Sequence, residues 1–255
     1  MSKSTTRPQS EDTLESLASL FSTLVIALFT LTFLFQNFVI PSASMASTLL
    51  VGDHVLVERA TLAPSAAWAG LLPYRDVHRG EPIVFYKPFA EPSGEHIVLV
   101  KRVIGVLGDR IHLRRGIVYL NGIAQDEPRA AKPTVANYDP YRDDFPSIPA
   151  TNVARVTAEW SLDLPTHIDG EDLVVPPGSF FVMGDNRTNS LDGRYWGLVP
   201  RANLIGRPLF VYWSFKTPED QIDKTSLTEK TSFTLHQLTH FVSETRWNRT
   251  LHPIN

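Results

Sequence analysis

The residue types of this chain that are suited to chemistry on a substrate are two serines and one lysine. Ser42 and Ser44 lie in the segment Pro41 to Leu50, which follows a long apolar stretch. A serine hydroxyl becomes a strong nucleophile only when a neighbouring base takes its proton. No histidine sits in a recognisable triad context, so the candidate for that base is Lys101. Serine clusters are also common in turns and helix caps, and residue type alone does not decide between these roles.

Lys101 lies within Val98 to Gly105, a run rich in β-branched residues that predicts a strand. Burial in such a strand disfavours the charged ammonium and favours the neutral amine, which is the form that accepts a proton. Lowering the pKa of a lysine from about 10.4 to about 7.5 takes roughly 4 kcal/mol, which requires burial without an unpaired carboxylate partner. The pattern alone is also typical of a strand lysine that faces solvent, so both interpretations stay open.

A third candidate segment, Gly184 to Gly197, places Asp, Asn, Arg and Ser beside a Tyr-Trp pair directly after a predicted strand. Such a composition is typical either of a solvated loop or of a partly buried network of hydrogen bonds. In the network interpretation, Asp192 and Arg194 form an ion pair that braces the loop. Ser190 is then placed to orient a neutral lysine amine.

The element that precedes the serines is predicted to be a transmembrane helix. No charged residue occurs from Ser16 to Gly52, and Leu17 to Phe35 is densely apolar. At about 1.5 Å per residue this run spans roughly 28 Å, close to the hydrocarbon thickness of a bilayer. We predict a transmembrane helix over residues 17–37. A cleavable signal peptide is the alternative, because the serine segment contains a small-x-small pattern, but the apolar run is longer than such peptides carry.

The rest of the chain is predicted to be mostly β. Its 14 glycines and 19 prolines follow no period, which predicts many turns between short strands. Asn121-Gly122 directly follows an apolar run and predicts a type I′ hairpin, in which both turn positions have positive φ. The clearest strand candidates are His54 to Glu58, Ile83 to Tyr86, His96 to Ile104, Ile117 to Leu120, Phe180 to Met183 and Leu209 to Trp213.

Two regions carry no motif. Residues 126–172 contain several prolines and few apolar runs, which predicts an inserted flap or small subdomain outside the core. From Thr217 onward polar residues dominate, apart from a modest helical pattern of apolar residues between Phe233 and Val242.

Composition excludes several classes of function. The 24 Lys and Arg residues stand against 27 Asp and Glu residues without a basic run, so nucleic acid is not expected as a partner. The absence of cysteine excludes thiolate metal sites, a cysteine nucleophile and disulfides. His236 and His240 have the spacing of a metalloprotease helix, but Gln237 stands where the general-base glutamate is required. We expect neither a metal nor a cofactor.

The order of these segments resembles that of the type I signal peptidases, the bacterial leader peptidases that act with a serine and a lysine. The resemblance covers most of residues 38–125 and 174–213. Each segment is unspecific alone, and the combination is specific. The matching segments are Pro41 to Leu50, Gly52-Asp53 with Leu56 to Glu58, Arg79-Gly80 with Ile83 to Phe85, Lys101 to Gly105 with Gly108-Asp109, and Gly184 to Pro200.

The resemblance implies a catalytic mechanism. Ser44 attacks the scissile carbonyl while neutral Lys101 acts as the general base. The Ser42 hydroxyl and the Ser44 amide form the oxyanion hole. The residues implied to support the active site are Gly184, Ser190, Asp192 and Arg194. The residues implied to line small substrate pockets, beside which the substrate pairs as an added strand, are Phe38, Ile40 and Val100.

The resemblance also implies a membrane-bound serine endopeptidase that removes signal peptides from exported preproteins, cutting after sites of the A-x-A type. It places residues 1–16 in the cytoplasm and residues 17–37 as a single pass in the bacterial cytoplasmic membrane. A catalytic domain, residues 38–216 with an insert at about 126–172, would lie on the extracytoplasmic side, followed by a tail, residues 217–255. The expected partners are preproteins and the lipid bilayer, and the expected state is a monomer.

Two other functions stay open at the level of sequence. A peptidase of the same serine-lysine type, specialised for one substrate such as a conjugation or pilus precursor, would carry the same segments. A membrane-anchored β-domain that binds exported chains without cutting them predicts instead that Ser44 and Lys101 can be replaced without loss of function.

The stretch from Leu62 to Tyr74 carries no charge and includes Trp68. Aromatic and aliphatic side chains close to a membrane anchor are suited to the membrane interface. We hypothesise that this stretch rests in the interface beside the active site. Packing in the core is the alternative.

Overall fold

The structure, a computed structural model, describes residues 9–62, 75–89, 94, 96–221, 224 and 226–254. The chain starts with an apolar helix, α1 (Gln9–Phe29), which continues as a π-helical stretch, Thr30–Leu34. Within the described part of the chain, one helical segment, Thr13–Leu34, is long and apolar enough to cross a membrane, with a mean hydropathy of 2.2.

Short strands make up most of the remaining regular structure, so the chain after α1 is mostly β, as predicted. The strands are β1 (Phe35–Val39), β2 (Asp53–Glu58), β3 (Pro82–Tyr86), β4 (Val98–Gly105), β5 (Arg110–Arg114), β6 (Ile117–Leu120), β7 (Ile123–Ala124), β8 (Ile168–Asp169), β9 (Asp172–Val174), β10 (Ser179–Met183), β11 (Val199–Pro200), β12 (Leu204–Ser214) and β13 (His252–Pro253). The further helices are α2 (Pro140–Asp143), α3 (Ala158–Asp163), α4 (Gly193–Trp196), α5 (Leu227–Thr239) and α6 (Phe241–Glu244).

The strands form two antiparallel sheets. The larger sheet has eight strands in the order β1-β2-β12-β3-β4-β10-β11, with β13 paired to β12. The smaller sheet has five strands in the order β7-β6-β5-β9-β8. Strand β4 belongs to the large sheet and β5 to the small one, so the short turn between them joins the two sheets.

The six predicted strands all coincide with observed strands, and β6 and β7 form the predicted hairpin. Leu120 pairs with Ile123 across the turn. Asn121 has φ of 52° and Gly122 has φ of 79°, so both turn residues adopt the left-handed conformation that a type I′ turn requires.

The helical structure ends earlier than predicted. Helical geometry stops at Leu34, and Phe35 begins β1 and pairs with Glu58 of β2. The predicted limit at residue 37 was wrong because the apolar run continues through this point without a local stop signal. Pairing with β2, a contact between distant parts of the chain, sets the boundary.

The region 126–172 is not the separate flap that its composition suggested. Tyr141, Phe145 and Trp160 are buried in the main apolar cluster. The Tyr141 hydroxyl donates to the Arg194 carbonyl oxygen at 2.6 Å, and Trp160 Nε1 donates to the same oxygen at 3.1 Å. The helices here are too short to show a periodic apolar pattern, so the sequence did not reveal that single large side chains pack into the core.

The tail also packs on the large sheet. Strand β13 pairs with β12, and Thr245 bridges to Phe215. Ile254 is buried in a second apolar cluster together with Met45 and Leu49. The end of the chain therefore lies against the residues that immediately follow Ser44.

The hypothesis of an interfacial loop falls on residues 63–74, which lie outside the described residues. Leu62, where that stretch begins, is fully buried.

Candidate active site

Ser44 and Lys101 are in direct contact. Ser44 is partly exposed in a short 3-10 turn, Ala43–Met45, whereas Lys101 lies on β4 and is only 3% exposed. Ser44 Oγ and Lys101 Nζ are 2.6 Å apart, within hydrogen-bonding distance. The solvent-facing alternative for Lys101 is therefore wrong. A neutral amine in this position can accept the proton of the Ser44 hydroxyl.

Burial controls the protonation of Lys101. Loss of hydration lowers the pKa of the amine from 10.5 to about 8; Asp192 and Asp185 act in the opposite direction, and Arg194 adds to the lowering. Asp192 is already paired with Arg194, and Asp185 with Arg102. Because each carboxylate has its own arginine, neither holds the amine firmly in its charged form.

The turn that carries Ser44 is held by a residue that the sequence analysis did not single out. The Asn186 side-chain amide donates to the Ala43 carbonyl oxygen at 3.1 Å, and the Asn186 backbone N–H donates to the Ser44 carbonyl oxygen at 3.0 Å. Ser42 Oγ lies 3.3 Å from Ser44 Oγ, on the exposed side of the turn. Asn186 therefore fixes two successive carbonyl groups beside the reactive hydroxyl. Its presence in the polar segment after β10 was the available signal.

Gly184 lets this polar segment approach the serine turn closely. A Cβ atom at Gly184 would lie 2.4 Å from the Ser44 carbonyl oxygen and 2.3 Å from Ser190 Oγ. Ser190 is 7% exposed, and its Oγ has no hydrogen-bond partner among the described residues. The expected hydrogen bond from Ser190 to Lys101 is therefore not formed in this structure, although Ser190 packs against the glycine beside Ser44.

Asp192 and Arg194 form the ion pair that the sequence predicted, and both are fully buried. The two Asp192 carboxylate oxygens accept from Arg194 Nε at 2.9 Å and from a terminal nitrogen at 2.8 Å. Burial opposes ionisation of Asp192, but the charge and hydrogen bonds of Arg194 outweigh it and keep the pKa of the carboxyl below its usual range. Asp192 also accepts from the Gly184 N–H at 3.0 Å, so the pair holds the segment beside Ser44 in place.

A second buried ion pair lies on the other face of β4. Successive strand residues face opposite sides, so Arg102 points away from the face that presents Lys101. Arg102 donates twice to Asp185, at 2.7 Å each, and Thr48 donates to the same carboxylate at 2.5 Å. The sequence analysis missed this network, which ties β4 to the segment after Ser44.

A cavity of about 420 Å³ lies next to that network. Val103 and Leu120 line its apolar part, and Arg79, Glu127 and Arg187 lie at its polar part. Neither Ser44 nor Lys101 lines it.

The tail contributes a third pairing that the sequence analysis missed. Arg249 donates to both carboxylate oxygens of Asp53, at 2.5 and 3.2 Å, and to the Thr48 carbonyl oxygen at 2.9 Å. Asp53 is fully buried and also accepts from the Leu50 N–H at 2.8 Å. These contacts close the loop between Ser44 and β2.

The residues predicted to line substrate pockets share one apolar cluster. Ile40 is buried within it, and Phe38 and Val100 are partly buried against it. Phe38 lies on β1, which is an edge strand of the large sheet. On β4, pairing with β10 begins only at Arg102, so in the described residues the stretch Val98–Lys101 pairs on one side alone, with β3.

The described residues contain no group of three or more His, Asp or Glu side chains that could hold a metal ion. His236 Nε2 lies within hydrogen-bonding distance of a Glu244 carboxylate oxygen, at 2.9 Å, and the His236 ring stacks on His240 at 4.2 Å between centroids. These contacts hold α5 against α6.

A β-rich domain follows an apolar helix, and a buried lysine contacts a partly exposed serine. This arrangement is typical of a hydrolytic enzyme with a serine nucleophile. Residues 13–213 match the family described as signal peptidase, peptidase S26, and the chain belongs to this family of peptidases. Members of the signal peptidase I group remove signal peptides from preproteins.

Three relatives illustrate the similarity. A probable signal peptidase I-2 from Synechocystis sp. is 30% identical over 213 residues, covering 83% of this chain and 78% of that protein. A signal peptidase I from Pseudomonas aeruginosa is 30% identical, covering 79% and 72%. One from Bacillus caldolyticus is 32% identical, covering 72% and 82%. A crystal structure of a signal peptidase I from Enterococcus faecalis covers 52% of this chain and 97% of that one, with 26% identity and a TM-score of 0.33.

Proposed function

We propose that this peptidase cuts signal peptides from exported preproteins with Ser44 as nucleophile and Lys101 as general base. The observation that carries the proposal is the 2.6 Å contact between Ser44 Oγ and the buried Lys101 amine. A pKa of about 8 leaves a useful fraction of this amine neutral near physiological pH. Family membership supports the peptidase chemistry, and the geometry supports the assignment of these two residues.

In the first half of the reaction, Lys101 takes the proton from Ser44 Oγ as that oxygen bonds to the scissile carbonyl carbon. Negative charge then develops on the carbonyl oxygen. The Ser42 hydroxyl, 3.3 Å from Ser44 Oγ, and the Ser44 backbone N–H lie close enough to donate to that oxygen. When the peptide C–N bond breaks, protonated Lys101 gives its proton to the leaving amine.

In the second half, the signal peptide is held as an ester on Ser44. Neutral Lys101 takes a proton from a water molecule as its oxygen attacks the ester carbon. The tetrahedral intermediate collapses, Lys101 returns the proton to Ser44 Oγ, and the peptide leaves with a carboxylate end. The lysine carries one proton in each half and ends unchanged.

Substrate specificity in this proposal comes from shape. The substrate lies as an added strand along the open edge of Val98–Lys101 and close to β1, with its side chains facing the cluster of Phe38, Ile40 and Val100. Shallow pockets in such a well-packed surface exclude large side chains by overlap. Because only small side chains fit such pockets, the proposal predicts cleavage after an A-x-A pattern.

The supporting residues act through Ser44 and Lys101. Asp192 and Arg194 hold the polar segment, and Gly184 lets it approach the serine turn. Ser190 orients the lysine amine when substrate excludes water from the site. Its buried hydroxyl, which has no hydrogen-bond partner among the described residues, is available for that contact.

The proposed topology places residues 1–16 in the cytoplasm and a single pass from residue 17 to Leu34, inside the apolar helical segment Thr13–Leu34. The catalytic domain, residues 38–216 with the region 126–172, and the tail 217–255 lie on the extracytoplasmic side of the bacterial cytoplasmic membrane. In this arrangement the lipid bilayer is a partner, and one chain, acting as a monomer without a cofactor, contains every proposed catalytic group.

The test is cleavage of a purified preprotein that ends its signal peptide in Ala-x-Ala, with the product mass locating the cut. We expect a cut after the final alanine by the detergent-solubilised protein, and a loss of at least about a thousandfold in both Ser44→Ala and Lys101→Met. Asn189→Ala, exposed in the same polar segment, is the matched control and retains activity.

The outcomes separate the alternatives. Cleavage of one precursor among several unrelated ones would favour a specialised peptidase of the same type. Full function after replacement of Ser44 and Lys101 would contradict the proposed dyad and favour a binding domain.

A further inference from the structure

Arg187 carries a buried charge to which the proposed mechanism gives no role. Its side chain is only 2% exposed. A guanidinium so deeply buried requires a carboxylate close by, and the two terminal nitrogens of Arg187 donate to the carboxylate oxygens of Glu127, at 2.6 and 2.5 Å. The remaining nitrogen, Nε, donates to the Gly184 carbonyl oxygen at 3.0 Å. One side chain therefore connects the charge of Glu127 to the glycine that packs against Ser44.

The carboxylate belongs to a short segment, residues 125–131, which we call the strap. The strap follows β7 of the small sheet. The Ser47 hydroxyl donates to the Arg129 carbonyl oxygen. The Ala131 N–H donates to the Asp185 carbonyl oxygen at 2.9 Å. The strap therefore joins the small sheet to the segment after the reactive serine and to the polar segment after β10.

Polar contacts, and not apolar packing, hold the strap in place. No residue from 125 to 131 belongs to either apolar cluster of the described part of the chain. Most of the strap lines the cavity of about 420 Å³, together with Val103 and Leu120. A cavity offers few van der Waals contacts that resist displacement of the chain beside it. The position of the strap at Glu127 therefore depends on the ion pair with Arg187.

Gly184 has little freedom to move without disturbing the serine turn. A Cβ atom at this position would lie 2.4 Å from the Ser44 carbonyl oxygen, so the two backbones are already close. The Gly184 N–H donates to Asp192, and the Gly184 carbonyl oxygen accepts from Arg187, at 3.0 Å each. Both polar groups of this glycine are thus held by charged side chains, and Arg187 is itself held by Glu127.

We propose that Glu127 is a positioning residue for the reaction of Ser44, an inference that rests on the proposed function. Through Arg187, Glu127 keeps the Gly184 carbonyl group in place and with it the alignment of Ser44 and Lys101. A displacement of about 1 Å between reacting groups can cost about a hundredfold in rate, so a loosened polar segment lowers kcat. The strap has no residue in the apolar cluster of the substrate pockets, so KM is little affected.

The experiment measures cleavage of a soluble signal-peptide substrate by the full-length protein in detergent, at a temperature at which near-ultraviolet circular dichroism shows each variant to be folded. Glu127→Gln keeps the shape of the side chain and removes the charge that neutralises Arg187. We expect kcat to fall by about thirtyfold and KM to stay within about twofold of the wild-type value. Glu171→Gln is the matched control, because Glu171 lies between two strands of the same small sheet and its ion pair with Arg114 is exposed. It should retain the wild-type kcat.

A double variant tests the route from Glu127 to the site. Arg187→Gln removes the connection to Gly184, so adding Glu127→Gln to it should cause no further loss of kcat. Losses that add in the double variant would show that the carboxylate acts by another route, and would overturn the proposal. A lower denaturation midpoint in Glu127→Gln with an unchanged kcat would show a role in stability alone, and would also overturn it.

Arg187→Lys tests the same route with the least risk to folding, because the ammonium still neutralises Glu127. A single ammonium does not reproduce the fork of a guanidinium that pairs with a carboxylate and also donates to the Gly184 carbonyl oxygen. We expect kcat to fall by about tenfold with KM unchanged. A wild-type kcat in Arg187→Lys would contradict the proposal.

The wild-type protein and Ser44→Ala are assayed in the same series. Failure of the wild-type protein to cut, or full activity in Ser44→Ala, would contradict the proposed function and this inference with it. Cleavage that is lost in Ser44→Ala and fully retained in Glu127→Gln and Arg187→Lys would overturn only the role of Glu127.

Discussion

At the scale of residues, the site depends on a balance of burial against charge around one amine. Lys101 is almost fully buried, and the carboxylates near it are each neutralised by an arginine. Without Arg194 or Arg102, an unpaired carboxylate would stabilise the ammonium and raise the lysine pKa. Two buried ion pairs therefore protect the neutral form of Lys101, whose amine makes its hydrogen bond with Ser44.

Burying a titratable lysine reduces stability. Because the folded-state pKa is below the unfolded value, the protonated amine is penalised in the folded protein, and this penalty is present below about pH 8 and vanishes above 10.5. Replacing Lys101 by Met, which has a similar length, should raise the free energy of unfolding at pH 7 by roughly 3 kcal/mol while abolishing cleavage. The measurement is urea denaturation at pH 7 and at pH 10. A gain that is as large at pH 10 as at pH 7 would argue against the pKa shift.

Asn186 should act as a positioning residue. Asn186→Ala removes the side-chain hydrogen bond to the Ala43 carbonyl oxygen, and Ser44 loses one restraint. We expect stability to fall by about 1 kcal/mol and kcat by about tenfold, with little change in KM, because the substrate pockets are untouched. Asn186→Asp, which cannot donate, should behave like Asn186→Ala. Recovery of kcat in Asn186→Gln would support this role. A change confined to KM would contradict it.

At the scale of elements, the strands were predictable from local chemistry, whereas part of the hydrogen-bond network around the site depends on pairings between distant residues. The Asn-Gly turn and the β-branched run around Lys101 carry their structure in a few adjacent residues. Arg102 and Asp185 are 83 positions apart, and Arg249 and Asp53 are 196 apart, so no periodic pattern connects them. Resemblance to a family named the serine and the lysine. The resemblance also named the Asp192-Arg194 support, whereas the roles of Asn186 and Arg249 and the pairing of Arg102 with Asp185 became visible only in the folded chain.

The tail is expected to stabilise the loop after Ser44. Arg249→Met removes the nearer of the two arginines that neutralise the buried Asp53 carboxylate. The other, Arg246, lies 3.9 Å away. We expect a loss of about 3 kcal/mol in the free energy of unfolding. Lys224→Met is the matched control, because its ion pair with Asp220 is exposed and should contribute almost nothing. Equal denaturation midpoints for the two variants would contradict a structural role for the tail.

At the scale of the whole molecule, an apolar span leads without a linker into a sheet whose open edges lie beside a serine and a lysine. In the proposed topology, a substrate whose own apolar segment lies in the same bilayer meets the site at a raised effective concentration. Removing the apolar span should therefore lower cleavage of inserted preproteins more than cleavage of soluble peptides. In the proposed mechanism, the chemistry itself depends on the protonation state of Lys101.

The dependence of kcat/KM on pH tests that point most directly. In the proposed mechanism neutral Lys101 is the active form, and its fraction grows as pH rises through the pKa, so kcat/KM for a soluble signal-peptide substrate should rise with pH and level off above about 8. The residual activity of Lys101→Met should not show this rise with pH. A rate in the wild-type protein that is flat from pH 6 to pH 9, or that falls across this range while the protein stays folded, would contradict Lys101 as the base.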